Sequence, residues 1–206
     1  MDQENKKPIT AVIVGSKSDF EQMVRGLSLL EAESQDGGRV ETLGVFVRSC
    51  HRHPIALIVL IYQLLCQDVN VIITGAGKLN ALSGMVETIL LRIFYPLSCA
   101  LSALYLWHIT PEQILGVRVL AVAFKGSTDS ANQAAMYGAN EVPGTQLVWK
   151  TPGTDEQYVG EEGFFNAVMA VVENNLPVSL NPPDTSKVPM DFTVEEALAK
   201  AKEAKK

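Results

Sequence analysis

Short apolar runs rich in β-branched residues recur along the first 124 positions, at residues 9–14, 40–47, 69–74, 96–101 and 117–124. They are apolar at nearly every position instead of alternating, the signature of strands covered on both faces in a parallel sheet. Helical spacing fills the intervals at 19–33, 54–67 and 79–94, and two further helices follow at 128–138 and 161–175. This alternation predicts an α/β fold, a three-layer flavodoxin-like parallel sheet with five strands and helices on both faces. Right-handed crossovers then bring the loops that leave the strands to one edge.

The pattern changes near the end of the chain. Residues 176–189 hold four of the ten prolines among Asn, Ser and Asp, which predicts an extended connector. A final helix is expected after it, because Thr193 can cap the turn while Glu196 reaches back. With 206 residues, 47% of them hydrophobic, the chain fills one domain over 1–175, and 176–206 forms a connector and C-terminal helical extension.

Three polar turns follow predicted strands and therefore share the proposed edge. The first, GSKSD at residues 15–19, offers Ser16, Lys17, Ser18 and Asp19. A capping box between Ser18 and Glu21 would start the next helix, and backbone N–H groups there favour phosphate. A capped turn without ligand fits the same residues. The second, SCHRHP at 49–54, sets a hydroxyl (Ser49), an imidazole (His51) and a guanidinium (Arg52) side by side. Imidazole is the side chain suited to proton transfer near neutrality, and guanidinium grips phosphate or carboxylate in a fork. A metal set of Cys50, His51 and His53 and a nucleophilic Cys50 are weaker readings, since no second ligand pair has a zinc spacing. The third, TGAGKLNALSGM at 74–85, lets a glycine-rich backbone approach a flat heterocycle or anion beside Lys78 and Asn80.

Composition narrows the partners. A formal net charge of −6 gives no general attraction for nucleic acid or an anionic membrane, so any phosphorylated ligand must be held by local groups. Cys50, Cys66 and Cys99 match no disulfide framework, which suits a reducing cytosol. The polar start, MDQENKKP, does not have the form of a secretory leader. The apolar stretch at 56–66 is too short to span a bilayer, and the next is interrupted by Glu87, Arg92 and Pro96. The expected location is cytoplasmic, with no membrane partner.

Taken together, GSKSD, S-x-HR-x-P and GAG-x-x-N-A-L-S-G-M resemble, in order and spacing, the aminoimidazole ribonucleotide carboxylase/mutase family of purine biosynthesis. The resemblance runs from residue 9 to 85, with a fainter echo at 131–149 that is similar to the family's late helix. It implies an enzyme in which Ser16 and Asp19 hold the nucleotide, beside the Ser18 hydroxyl that the first loop itself offers, and Ser49 and Arg52 lie near its phosphate. His51 is then the acid/base, while Ala76, Gly77, Lys78 and Asn80 are expected from the chemistry of the third loop itself to complete the binding surface. No metal or organic cofactor is implied; the partners are a small-molecule nucleotide and carbon dioxide, and the assembly is a homo-octamer.

Two branches of that family differ in the third loop. The mutase branch carries a histidine there, in GAGGAAHLPGM, whereas the carboxylase branch resembles AGRSNALSG. The chain's GAGKLNALSGM, with Ala81 in place of histidine, is similar to the carboxylase form, while GSKSD and Arg52 are closer to the mutase form. The resemblance thus implies a phosphoribosylaminoimidazole carboxylase, a carboxy-lyase, with an N-carboxyaminoimidazole ribonucleotide mutase as the alternative. A non-catalytic binder of a phosphorylated ligand, such as flavin, is the rival from another class. Cys50, His53 and the Lys78-Leu79 pair depart from both branches, and no segment after Pro96 matches the family's Met-Pro or Leu-Pro substrate loop.

Overall fold

The computed structural model describes residues 7–77, 80–102, 108–140, 145–177, 180–184, 193–194, 196–197 and 200. Its centre is a parallel sheet of β1 (Ile9–Val14), β2 (Glu41–Val47), β3 (Val71–Ala76) and β4 (Arg118–Ala123), in the order β2-β1-β3-β4. β1 and β3 are buried at every position, as their unbroken apolar runs predict for interior strands. β2 lies at an edge and is only partly buried. There Gly44, at φ 138°, takes up a register shift opposite Thr10 and Ala11 that a side chain would resist.

Side chains alternate across the sheet and divide the core into two layers. Val12, Val14, Ile73 and Val122 pack beneath α1 (Val24–Glu33) and α7 (Gly160–Val172), where Phe164 and Val168 are fully buried. Ala11, Ile13, Ile72 and Val119 face α2 (Pro54–Leu65) and α3 (Ala81–Thr88). Beside α3, α6 (Asp129–Asn140) sets Ala135 and Ala139 against Ala121 and Ala123 of β4. The result is the three-layer α/β arrangement expected from the sequence.

Two expectations are corrected. Residues 96–101 are helical: α3 continues through a π-helical turn (Ile89–Phe94) into α4 (Tyr95–Ser102). The wide turn, in which Tyr95 N–H reaches back to Leu90 O, directly precedes Pro96, whose ring cannot donate a helical hydrogen bond and crowds the turn before it. Neither Glu87, Arg92 nor Pro96 breaks this rod, and Ala81–Leu101 is long and apolar enough, by length and composition, to cross a membrane. In this fold its Leu82, Val86, Leu90 and Phe94 are part of the core. The remaining edge position of the sheet comes later: Val148 pairs in parallel with Leu120, and Ala121 N–H donates to Val148 O. The helix expected at 128–138 is present as α6, and within 131–149 the segment around Val148 runs along β4.

Smaller shifts concern the ends of elements. A 3-10 helix (Lys17–Gln22) precedes α1, and its capping box is formed by Ser16 and Asp19, two residues earlier than the Ser18–Glu21 pair expected. A short α5 (Pro111–Leu115) leads into β4 and is capped by Thr110 and Gln113. Toward the end of the chain, Leu180 N–H donates to Leu115 O, and Asn181 exchanges hydrogen bonds with the Gln146 carboxamide. The predicted cap of the last helix is present: Glu196 N–H donates to Thr193 Oγ1, and Thr193 N–H donates to Glu196 Oε2.

Candidate functional site

Successive strands are laid down on opposite sides of β1, so the chain reverses direction between β1 and β3. In open parallel sheets, the crevice outside the carboxyl ends of two such strands is where ligands bind. Gly15, leaving β1, donates its N–H to Gly75 O of β3 at 3.1 Å, so the first and third loops begin side by side. A Cβ placed on Gly77 would stand 3.9 Å from Asp19 Oδ1, which locates the first-loop carboxylate against the third loop.

Asp19 is held by the 3-10 helix. Its Oδ2 accepts Ser16 N–H at 3.1 Å, while Ser16 Oγ accepts from Ser18 N–H and stands 2.9 Å from Ser18 Oγ. Burial raises the Asp19 carboxyl above its ordinary value, and the hydrogen bond from Ser16 opposes that rise. Lys17 and Ser18 are exposed.

The second loop closes on itself. Ser49 O accepts His53 N–H at 2.9 Å, and Ser49 Oγ accepts Arg52 N–H at 3.4 Å. This turn leaves His51, Arg52 and His53 exposed and turns Cys50 inward, 8% exposed. Cys50, His51 and His53 therefore do not form a metal set, and no group of three or more His, Cys, Asp or Glu among the described residues could hold an ion. Burial pushes the Cys50 thiol up, which weakens it as a nucleophile. Arg52 Nη2 donates to Gly15 O at 3.3 Å and so ties the second loop to the first.

The third loop departs most from expectation. Ala76 is buried at the end of β3 and Gly77 is half-buried, whereas Lys78 lies outside the described residues. Asn80 is fully buried, and its carboxamide belongs to a network inside the protein. Its Nδ2 donates to Val122 O at 3.0 Å, and its Oδ1 accepts from Ser83, which also bonds Thr74. Asn80 therefore fixes where the loop turns into α3, with its functional group directed at β4 instead of at the crevice. α6 crosses this point so closely that a Cβ on Gly138 would sit 2.8 Å from Asn80 N. Gly138→Ala should force the helix and loop apart, costing about 1–3 kcal/mol. Its measured signature would be a lower thermal midpoint together with weaker ligand binding; an unchanged midpoint would contradict the close crossing.

A fourth loop joins the same edge and was missed in the sequence. After β4 the chain runs Phe124-Lys125-Gly126-Ser127-Thr128, and Lys125 pairs reciprocally with the Gln22 carboxamide: Lys125 N–H donates to Gln22 Oε1 and Gln22 Nε2 donates to Lys125 O. Gly126 N–H donates to Asn132 Oδ1, and Thr128 Oγ1 accepts Ala131 N–H at the start of α6. Its signal in the sequence is its position, a polar turn directly after a predicted strand, as with the other three.

The four adjoining turns carry hydroxyls, a buried carboxylate, a guanidinium that reaches the first loop and, on the second loop, an exposed imidazole. Such a set can bind a polar phosphorylated molecule and transfer a proton. Comparison with known proteins identifies the family. None of the curated proteins matches the chain. Two crystal structures are similar to it at 17% identity, that of Treponema denticola PurE (TM-score 0.43) and that of a single-residue variant of the same organism's PurE2 (TM-score 0.45). In each case 82% of this chain and 92% of the other are covered. The family model described as AIR carboxylase matches residues 9–144, a span that takes in β1 to β4 and all four turns, and the chain belongs to that family.

Proposed function

We propose that the chain carboxylates aminoimidazole ribonucleotide with carbon dioxide. The observation that carries this reading is the convergence of the first three loops at the reversal between β1 and β3, with His51 and Arg52 exposed there. Ser16, Ser18 and Asp19 hold the nucleotide, and Ser49 with Arg52 receives its phosphate. The ring amino group pushes electron density onto the neighbouring ring carbon, which forms a bond to carbon dioxide. His51 takes the proton that this carbon then loses and returns it in the reverse direction. The backbone at Ala76 and Gly77, with Lys78, stabilises the new carboxylate. Asn80 acts on the reaction by positioning the loop. This function implies a cytosolic enzyme working as a homo-octamer, an assembly supported by Ile55 and Val59, 70% and 48% exposed on α2.

The carboxylase branch is favoured by Asn80 and Ala81, which open α3 where the mutase form carries histidine. The deciding assay supplies aminoimidazole ribonucleotide with labelled bicarbonate, beside the N-carboxylated substrate. Turnover that saturates with dissolved carbon dioxide and places label in the product carboxylate is the expected result. Conversion of the N-carboxylated substrate alone, with little label exchange, would make the chain a mutase; inactivity with both would leave a phosphorylated-ligand binder.

Arg52 supplies a separate check. Arg52→Ala should raise the KM for the phosphorylated substrate about tenfold or more, and leave binding of the dephosphorylated nucleoside nearly unchanged, because the lost contact is a charge-assisted one to phosphate. Equal losses for both ligands would remove Arg52 from the phosphate site.

A further inference from the structure

The far end of α2 carries a second cluster of reactive groups. Cys66, the residue that ends α2, is exposed, and its Sγ lies 3.2 Å from His108 Nε2. Tyr62 stands one turn earlier on the same helical face and hydrogen-bonds Cys66, a contact that raises its phenol above the ordinary tyrosine value. The Tyr62 and His108 rings meet edge to face with centroids 6.2 Å apart, which fixes the imidazole beside the sulfur. Next to them opens a groove of about 480 Å³ walled by Phe46, Leu60 and Leu64, with Gln63 and Gln67 at its exposed side. Nucleophile, base and hydroxyl donor are thus assembled at the mouth of a mostly apolar recess. At about 1.5 Å per residue, α2 puts roughly 18 Å between this cluster and the His51 loop, so the proposed carboxylation makes no use of it.

We propose that Cys66, His108 and Tyr62 form a thiol–disulfide exchange site that takes small organic disulfides into this groove. His108 Nε2 accepts the thiol proton, and Sγ attacks one sulfur of the incoming disulfide. As the Cys66–sulfur bond forms, the original S–S bond breaks and the departing thiolate takes the proton back from the imidazolium. One disulfide is consumed and one mixed disulfide is made, so atoms and electrons balance without another oxidant. Tyr62 positions the sulfur and donates to its developing charge.

The other two cysteines serve as internal standards. Cys50 is buried with its thiol pushed up, and Cys99 is exposed on α4 beside Tyr95. The full chain is treated at neutral pH with the aromatic disulfide dithionitrobenzoate, and modified peptides are quantified by mass spectrometry. Cys66 should react about tenfold faster than Cys99, and His108→Gln should bring it down to the Cys99 rate. Tyr62→Phe, which keeps the ring packing, should slow Cys66 by about threefold, and serves as the readout if His108→Gln lowers the thermal midpoint. Equal rates at Cys66 and Cys99, no reaction of Cys66 in the native assembly, or a Cys66 rate indifferent to both substitutions would each overturn the proposal.

Discussion

Replacing His51 by Asn should reduce turnover by about 100- to 10,000-fold while ligand affinity changes only a few-fold, since proton transfer contributes on that scale and one neutral hydrogen bond far less. His51 is suited to so clean a test because its side chain is exposed while its turn is built by other groups, with Ser49 accepting both His53 N–H and Arg52 N–H. Asparagine preserves that turn and keeps a polar side chain but removes the group able to accept and return a proton. The thermal midpoint should stay at its wild-type value. Turnover at the wild-type rate would mean that the proton leaves by another route.

The second large effect concerns stability. Glu87 of α3 is only 1% exposed; its Oε1 accepts Gln146 N–H at 2.7 Å, and among the described residues Oε2 has no hydrogen-bond partner. Burial pushes the carboxyl up to about 7, against the smaller lowering effect of the Gln146 bond. Because the folded value lies above the unfolded one, the native state binds the extra proton. The stabilisation is fully present below about pH 4.5 and is lost as pH rises through about 7. The swing amounts to about 1–3 kcal/mol after allowance for solvent screening. Glu87→Gln keeps an oxygen for Gln146 N–H and has nothing to ionise. It should therefore raise the thermal midpoint by several degrees at pH 8 and flatten its dependence between pH 5 and 8. A midpoint that falls at pH 8 would show that the charged carboxylate is the form the fold requires.

What could be read from the residues followed from how locally each feature is determined. β1 and β3 are interior strands and β4 is buried beyond Arg118, and burial on both faces selects largely apolar runs. Residues 96–101 look the same, yet the choice between strand and helix was made by the π-helical turn, which accommodates Pro96, and by core packing around Ser98, whose hydroxyl donates to Ile109 O. The pairing of Val148 was hidden because it is a single bridge to β4 and its apolar run, Leu147 to Trp149, is too short to mark a strand. At the site, three loops were legible from their position after strands. The direction of the Asn80 side chain was not, because it is set by Val122, 42 positions away, which no local pattern reports.

The Gln22–Lys125 pair gives the site a place in time as well as in space. Its two halves are separated by 103 positions, so during synthesis β1, β2 and β3 can associate well before the fourth turn has emerged. The first loop gains its outer support only when residue 125 leaves the ribosome and β4 docks, and pairings between such distant segments form late. A nascent chain therefore passes most of its translation without a finished crevice. Products that terminate before β4 should therefore fail to bind whatever ligand the completed crevice takes, so a premature stop costs polypeptide without creating a competing binder.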